Sequence, residues 1–303
     1  MQSKAADNPL RGAELRRFYL TGWSQSCGYI TRYVKSFETA AAHAYDGYLL
    51  AGGIHTVLPP LNRYESVRAV DSRDMRLEQA PAPVIELNTE SEASNEWGLC
   101  GYSARRPDSD EPDFRYRYRD IAGGCHDAAD TCAEYLSFDG DVAKATGQAD
   151  GLRDDGLRRN NYHKYFAFHA ALRDLCLWSE LGIAPKSYER MRQTGGGEIL
   201  KDAFGNSRGG LRTPLIDDPV CTYYNWSEFT DPKTGQTRVD FLAGHEENFS
   251  AAFLRELYHD LAHYRKLAEL DADRLVADGQ ILAADRDDLV ETAVNRAREA
   301  GLQ

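Results

Sequence analysis

Apolar and polar positions along the chain follow two different periods, and the change from one to the other marks its elements. Residues 17–21 (Arg-Phe-Tyr-Leu-Thr) form a short β-prone run. After Gly22 the apolar residues Ile30, Tyr33, Val34 and Phe37 recur at i, i+3, i+4 and i+7, which predicts a strand, a tight turn and an amphipathic helix. Further strands are predicted at 45–51 ("YDGYLLA", before Gly52-Gly53), 83–88 ("PVIELN") and 114–122 ("FRYRYRDIA"). Strands separated by helices or long crossovers predict an α/β fold: a mostly parallel sheet covered on both faces.

The second half reads differently. Residues 136–160 are polar, charged and glycine-bearing, with little to bury, and predict a surface insertion. A helix is predicted over 162–181, with Phe168, Leu172, Leu175 and Cys176 at helical spacing, a stop at Gly182 and Pro185 beyond. The glycine-rich stretch 195–219 predicts irregular structure, and its glycines are not in phosphate-loop order. Ser250 predicts the cap of a helix carrying Leu254, Leu257, Tyr258 and Leu261, and a helical pair fills 266–300. The expected division is a core over 1–182 and a C-terminal extension, irregular then helical, over 183–303.

Composition narrows the function classes. The 303 residues are 42% hydrophobic, enough to fill a sizeable core, and the net charge of −12 argues against a nucleic-acid partner. The run "FRYRYRD" (114–120) alternates with period two and predicts a strand with its arginines on the wetter face rather than a nucleic-acid stripe. No apolar run approaches the ~20 residues of a membrane span, and the first residues lack the apolar middle of a signal peptide. At face value the chain is cytoplasmic, but its localisation stays open, since a missing N-terminal part is where any signal peptide would lie. The six cysteines form no C-x-x-C pair, so buried free thiols are expected; Cys125 and Cys132 flank His126 and are the pair an oxidising compartment would bridge.

The chemistry centres on "GWSQS", residues 22–26. A serine nucleophile needs an exposed hydroxyl, a base, and backbone N–H groups for the oxyanion. A strand-to-helix turn at Ser24 supplies the first and part of the third, with the Gln25 N–H at the new helix's start as an oxyanion donor. Downstream come "PVIELNTESE", a strand ending in Glu90 and Glu92, and "RYRDIAGGCHD", a strand followed by His126. The order nucleophile, acid, histidine is that of a Ser-His-Glu triad, with either Glu90 or Glu92 as the acid and Trp23 as a wall for an acyl or alcohol moiety.

Together "GWSQSCGYITRYV", "YDGYLLAGG", "PVIELNTESE", "GYSARRPDSDEPDFRYRYRDIAGGCHD", "LWSELGIAP" and "GNSRGGLRTPLIDDPV" resemble a bacterial family of α/β-hydrolase-domain proteins. The likeness covers most of the chain and implies an α/β-hydrolase fold and a serine carboxylester hydrolase acting on a small ester without a cofactor. Cys27 departs from the glycine usual after S-Q-S. The resemblance also implies four strands before the nucleophile strand, where only about 16 residues stand, a segment far short of four strands. The expectation is therefore a truncated product or half of a split protein, poorly stable or inactive alone, and completed by an N-terminal polypeptide or by self-association. The rival is a non-catalytic remnant or interaction subunit.

Other motifs carry less. "HDLAH" (259–263) resembles a zinc-binding helix, but Asp replaces the general-base Glu and no third ligand follows; two histidines on a helix's polar face are expected. "DADRLVADG" has Leu275 at a calcium-ligand position. No metal site is predicted.

Overall fold

The computed structural model describes residues 5–9, 11–39, 41–58, 66, 68–96, 99, 101–129, 157–230 and 234–303. The predicted insertion therefore lies almost wholly outside the described residues, as do Cys100 and Cys132. The centre is a five-stranded sheet of β1 (Tyr19–Trp23), β2 (Gly47–Ala51), β3 (Val84–Thr89), β4 (Ser109–Glu111) and β5 (Phe114–Ile121), in the order β1-β2-β3-β5-β4. The first four in that order are parallel, and only β4 runs antiparallel to its neighbour. β1 pairs on one side only among the described residues.

The strand period of two sorts the core onto two faces. Tyr48, Leu50, Val84, Tyr116 and Tyr118 point one way and pack against Cys27, Ile30 and Val34 of helix α1 (Gln25–Phe37). Leu49, Ala51, Ile85, Leu87 and Ile121 point the other way, onto Phe166, Ala171 and Leu175 of α4 (Tyr165–Leu181). Two short helices, α2 (Glu90–Ala93) and α3 (Gly101–Ala104), lie between β3 and β4. The α4 helix ends as the sequence predicts, at Gly182 with φ 69°.

The same buried cluster continues from the sheet into the C-terminal part, through Leu254, Leu275, Leu289 and Val294. That part holds α5 (Pro214–Asp217), two antiparallel pairs formed by β6 (Cys221–Tyr224) with β9 (His245–Asn248) and by β7 (Ser227–Thr230) with β8 (Thr237–Asp240), then α6 (Ala251–Tyr258), α7 (Leu261–Asp278) and α8 (Arg286–Glu299).

Two expectations are corrected. Arg117 and Arg119 are not on a wet face of β5: they are 4% and 8% exposed. Arg117 is covered because its guanidinium donates to the Pro185 carbonyl and lies over the Trp178 ring, and Arg119 pairs with Asp174 of α4. Nor do His259 and His263 share a helix. The chain turns at His259 with φ 62°, and Asp260 caps a new helix by accepting the His263 N–H, so the four-residue spacing spans a break. Ser250 caps α6 as predicted, accepting from the Phe253 N–H.

Candidate active site

Ser24 sits between β1 and α1 with φ 60° and ψ −125°, a backbone region that favours glycine and costs a serine about 1–3 kcal/mol. The turn is held from both sides: the Ser24 N–H donates to the Ala51 carbonyl (3.0 Å), and the Ser24 carbonyl accepts from the Cys27 N–H (3.0 Å). Gly22 is required by the closeness of the return. A Cβ there would stand 2.7 Å from Ile30 Cδ1 and 2.9 Å from the Ser26 carbonyl carbon. The Gln25 N–H opens α1 and has no acceptor among the described residues. Cys27 is buried, and a Cβ on Gly53 would come 3.0 Å from its sulfur, so the thiol fills the space between α1 and the β2 end.

His126 follows β5 on a loop that several residues fix in place. Its Nδ1 lies 2.5 Å from Glu92 Oε1, both side chains being almost fully buried. The other carboxylate oxygen, Oε2, accepts from the Thr89 N–H (2.8 Å) and the Thr89 hydroxyl (2.6 Å), a capping box that starts α2. The His126 N–H donates to the Ser91 hydroxyl (3.1 Å), and Lys164 Nζ donates to the Cys125 (3.2 Å) and His126 carbonyls. Burial opposes charge on the imidazole, but the carboxylate of Glu92 outweighs it and raises the His126 pKa above 6.5. Burial likewise opposes charge on Glu92; His126 and the Thr89 donors overcome it, and the Glu92 pKa falls below 4.5.

Glu90 is also buried but turns elsewhere. It accepts from the Gly123 N–H (2.5 Å), from the Ser207 hydroxyl and from Lys201 Nζ (2.8 Å), while its own N–H donates to the Gly124 carbonyl (3.1 Å). It thereby clamps the 195–219 segment to the loop that carries His126. Trp23 links the elbow to that loop: its ring stacks on the His126 imidazole at 4.8 Å, with Lys164 Nζ 4.7 Å from the ring and Phe168 at 5.7 Å. Gly52, at φ 57°, leaves the ring its room. No hydrogen bond joins Ser24 to His126 among the described residues. Burial pushes the neighbouring Cys125 thiol up to about 12, which removes it as a thiolate nucleophile.

Thr89, Ser91, Lys164, Lys201 and Ser207 also hold these side chains and stand outside the residues that the sequence motifs single out. One of them had a signal: Thr89-x-x-Glu92 is the capping-box pattern, which ties Glu92 back to the strand end. No group of three or more potential metal ligands occurs among the described residues. No helix there is long and apolar enough to cross a membrane.

A sheet of parallel strands with a serine elbow at one strand end and a buried carboxylate–imidazole pair at two others is the arrangement of a hydrolase domain. The family model described as "Alpha/beta hydrolase domain" matches residues 1–291, and the chain belongs to that family. No curated protein and no solved structure matches it.

Proposed function

We propose that the chain is a serine carboxylester hydrolase in which Ser24 is the nucleophile, His126 the base and Glu92 the acid. The observation that carries the reading is the 2.5 Å contact between Glu92 and His126 Nδ1, which leaves Nε2 as the nitrogen to take a proton. The strained, glycine-like backbone of Ser24 supports it, because such strain persists where the surroundings enforce it.

In the reaction, His126 Nε2 takes the Ser24 hydroxyl proton as Oγ attacks the ester carbonyl. The Gln25 N–H, at the positive end of α1, stabilises the oxyanion. The imidazolium then protonates the departing alcohol, and water repeats the cycle on the acyl-enzyme. Trp23 keeps the imidazole in plane and offers its half-exposed part as a wall for the substrate.

A second reading, a non-catalytic subunit, draws on one observation: Ser24 and His126 share no hydrogen bond. Steady-state and rapid-mixing assays with p-nitrophenyl acetate separate the two. The esterase reading expects a stoichiometric burst of p-nitrophenol that Ser24→Ala abolishes. Hydrolysis equal in both proteins sinks it.

A further inference from the structure

A cleft of about 1070 Å³, lined by none of the elbow residues, lies between the turn Ser72–Met75, helix α3 and residues 187–190. Its walls carry five arginines, 73, 76, 105, 106 and 190, in a chain whose net charge is −12. Three of them are neutralised: Arg73 by Asp71 (2.5 Å), Arg106 by Glu78 (2.8 Å) and Arg190 by Asp108 (2.6 Å). Arg76 and Arg105 have no carboxylate within ion-pair distance among the described residues. Among the described residues the Arg76 guanidinium donates to the Ser103 carbonyl, and that of Arg105 to the Gln193 side-chain oxygen (2.6 Å).

Both guanidinium groups are held in place rather than free to wander. Arg105 lies over the Tyr102 ring at 4.4 Å, and the Gln193 that fixes it donates onward to the Ala93 carbonyl (2.9 Å). Arg106 adds a buried Nε that has no acceptor. Arg76 and Arg105, without an ion-pair partner among the described residues, present planar donor forks of the kind that match carboxylate and phosphate oxygens, while Asp71 and Asp120 act on them only at a distance.

We propose that this cleft binds a small organic anion carrying carboxylate or phosphate groups, with Arg105 and Arg76 as its ligands. The inference does not depend on the ester chemistry, because binding is measured without turnover. Calorimetric titration with citrate and, separately, with pyrophosphate tests it. At least one probe binds the wild-type chain, and which one binds identifies the oxyanion. Arg105→Gln weakens that binding about ten-fold or more, the weight of a charge-assisted hydrogen bond, whereas Arg208→Gln, which removes an exposed charge outside the cleft walls, leaves it unchanged. If circular dichroism shows Arg105→Gln unfolded, Arg105→Lys replaces it; that variant keeps the charge, loses the fork, and is also expected to bind more weakly. Absence of binding by both probes, or wild-type affinity in the folded Arg105 variant, overturns the proposal.

Discussion

Glu92 grips His126 from behind: one carboxylate oxygen lies 2.5 Å from Nδ1 while the other is fixed by Thr89. Thr89 as well as the histidine therefore orients the Glu92 carboxylate. Glu90, two residues away and equally buried, faces Lys201, Ser207 and Gly123 instead. The two glutamates thus face different partners, and paired substitutions separate them.

Glu92→Gln is expected to lower kcat by about 10⁴, as an amide in the acid position favours the wrong imidazole tautomer. Glu90→Gln leaves most of kcat and instead destabilises the fold by about 1–3 kcal/mol, because the contacts to Lys201 and Gly123 weaken. Ester hydrolysis and urea denaturation on both variants check this; equal loss of activity in the two contradicts it.

The pH dependence follows from the same pair. His126 must be neutral to accept a proton, and its pKa is raised, so the acid limb of kcat/KM lies above 6.5 and moves down in Glu92→Gln, where burial and Lys164 are opposed only by Asp127. For stability the signs are opposite. The raised imidazole contributes below 6.5 and loses its contribution as pH rises through its folded value; the depressed carboxylate contributes above 4.5 and loses its contribution as pH falls through its folded value. The pair therefore stabilises most between about 4.5 and 6.5, which urea denaturation at a series of pH values measures.

Ser24→Gly relieves the φ 60°, ψ −125° strain and is expected to raise stability by about 1 kcal/mol while removing the nucleophile. A fall in the thermal midpoint of this variant contradicts the assignment of strain.

Gly22→Ala places a methyl against the Ser26 backbone and Ile30, and is expected to cost about 1–3 kcal/mol by displacing α1. Its thermal midpoint checks this, and an unchanged value shows that the elbow yields.

Much of this was legible in the chain because it depends on local periodicity. The switch from strand to helix after Gly22 located Ser24, and the strands ending at Thr89 and Ile121 fall within one residue of their predicted ends. That Glu90 turns from His126 depends on contacts with Lys201 and Ser207, more than 100 residues away, which no local pattern encodes. The arginines of β5 were misread for the same reason: alternation reveals a strand, but Trp178 and Pro185, brought by α4 and the chain beyond it, bury the face that looked wet. The break at His259 went unseen because the apolar spacing runs through it from Leu254 to Leu261, while the Asp260 cap acts over a few residues only.

The central claim, that Ser24 is a nucleophile activated by His126 and Glu92, is tested most directly by reacting the purified chain with a fluorophosphonate and mapping the adduct by mass spectrometry. One adduct is expected, on the peptide containing Ser24, absent in Ser24→Ala and much slower to form in Glu92→Gln. A folded wild-type chain that carries no adduct on Ser24, or one labelled equally fast in Glu92→Gln, would contradict it.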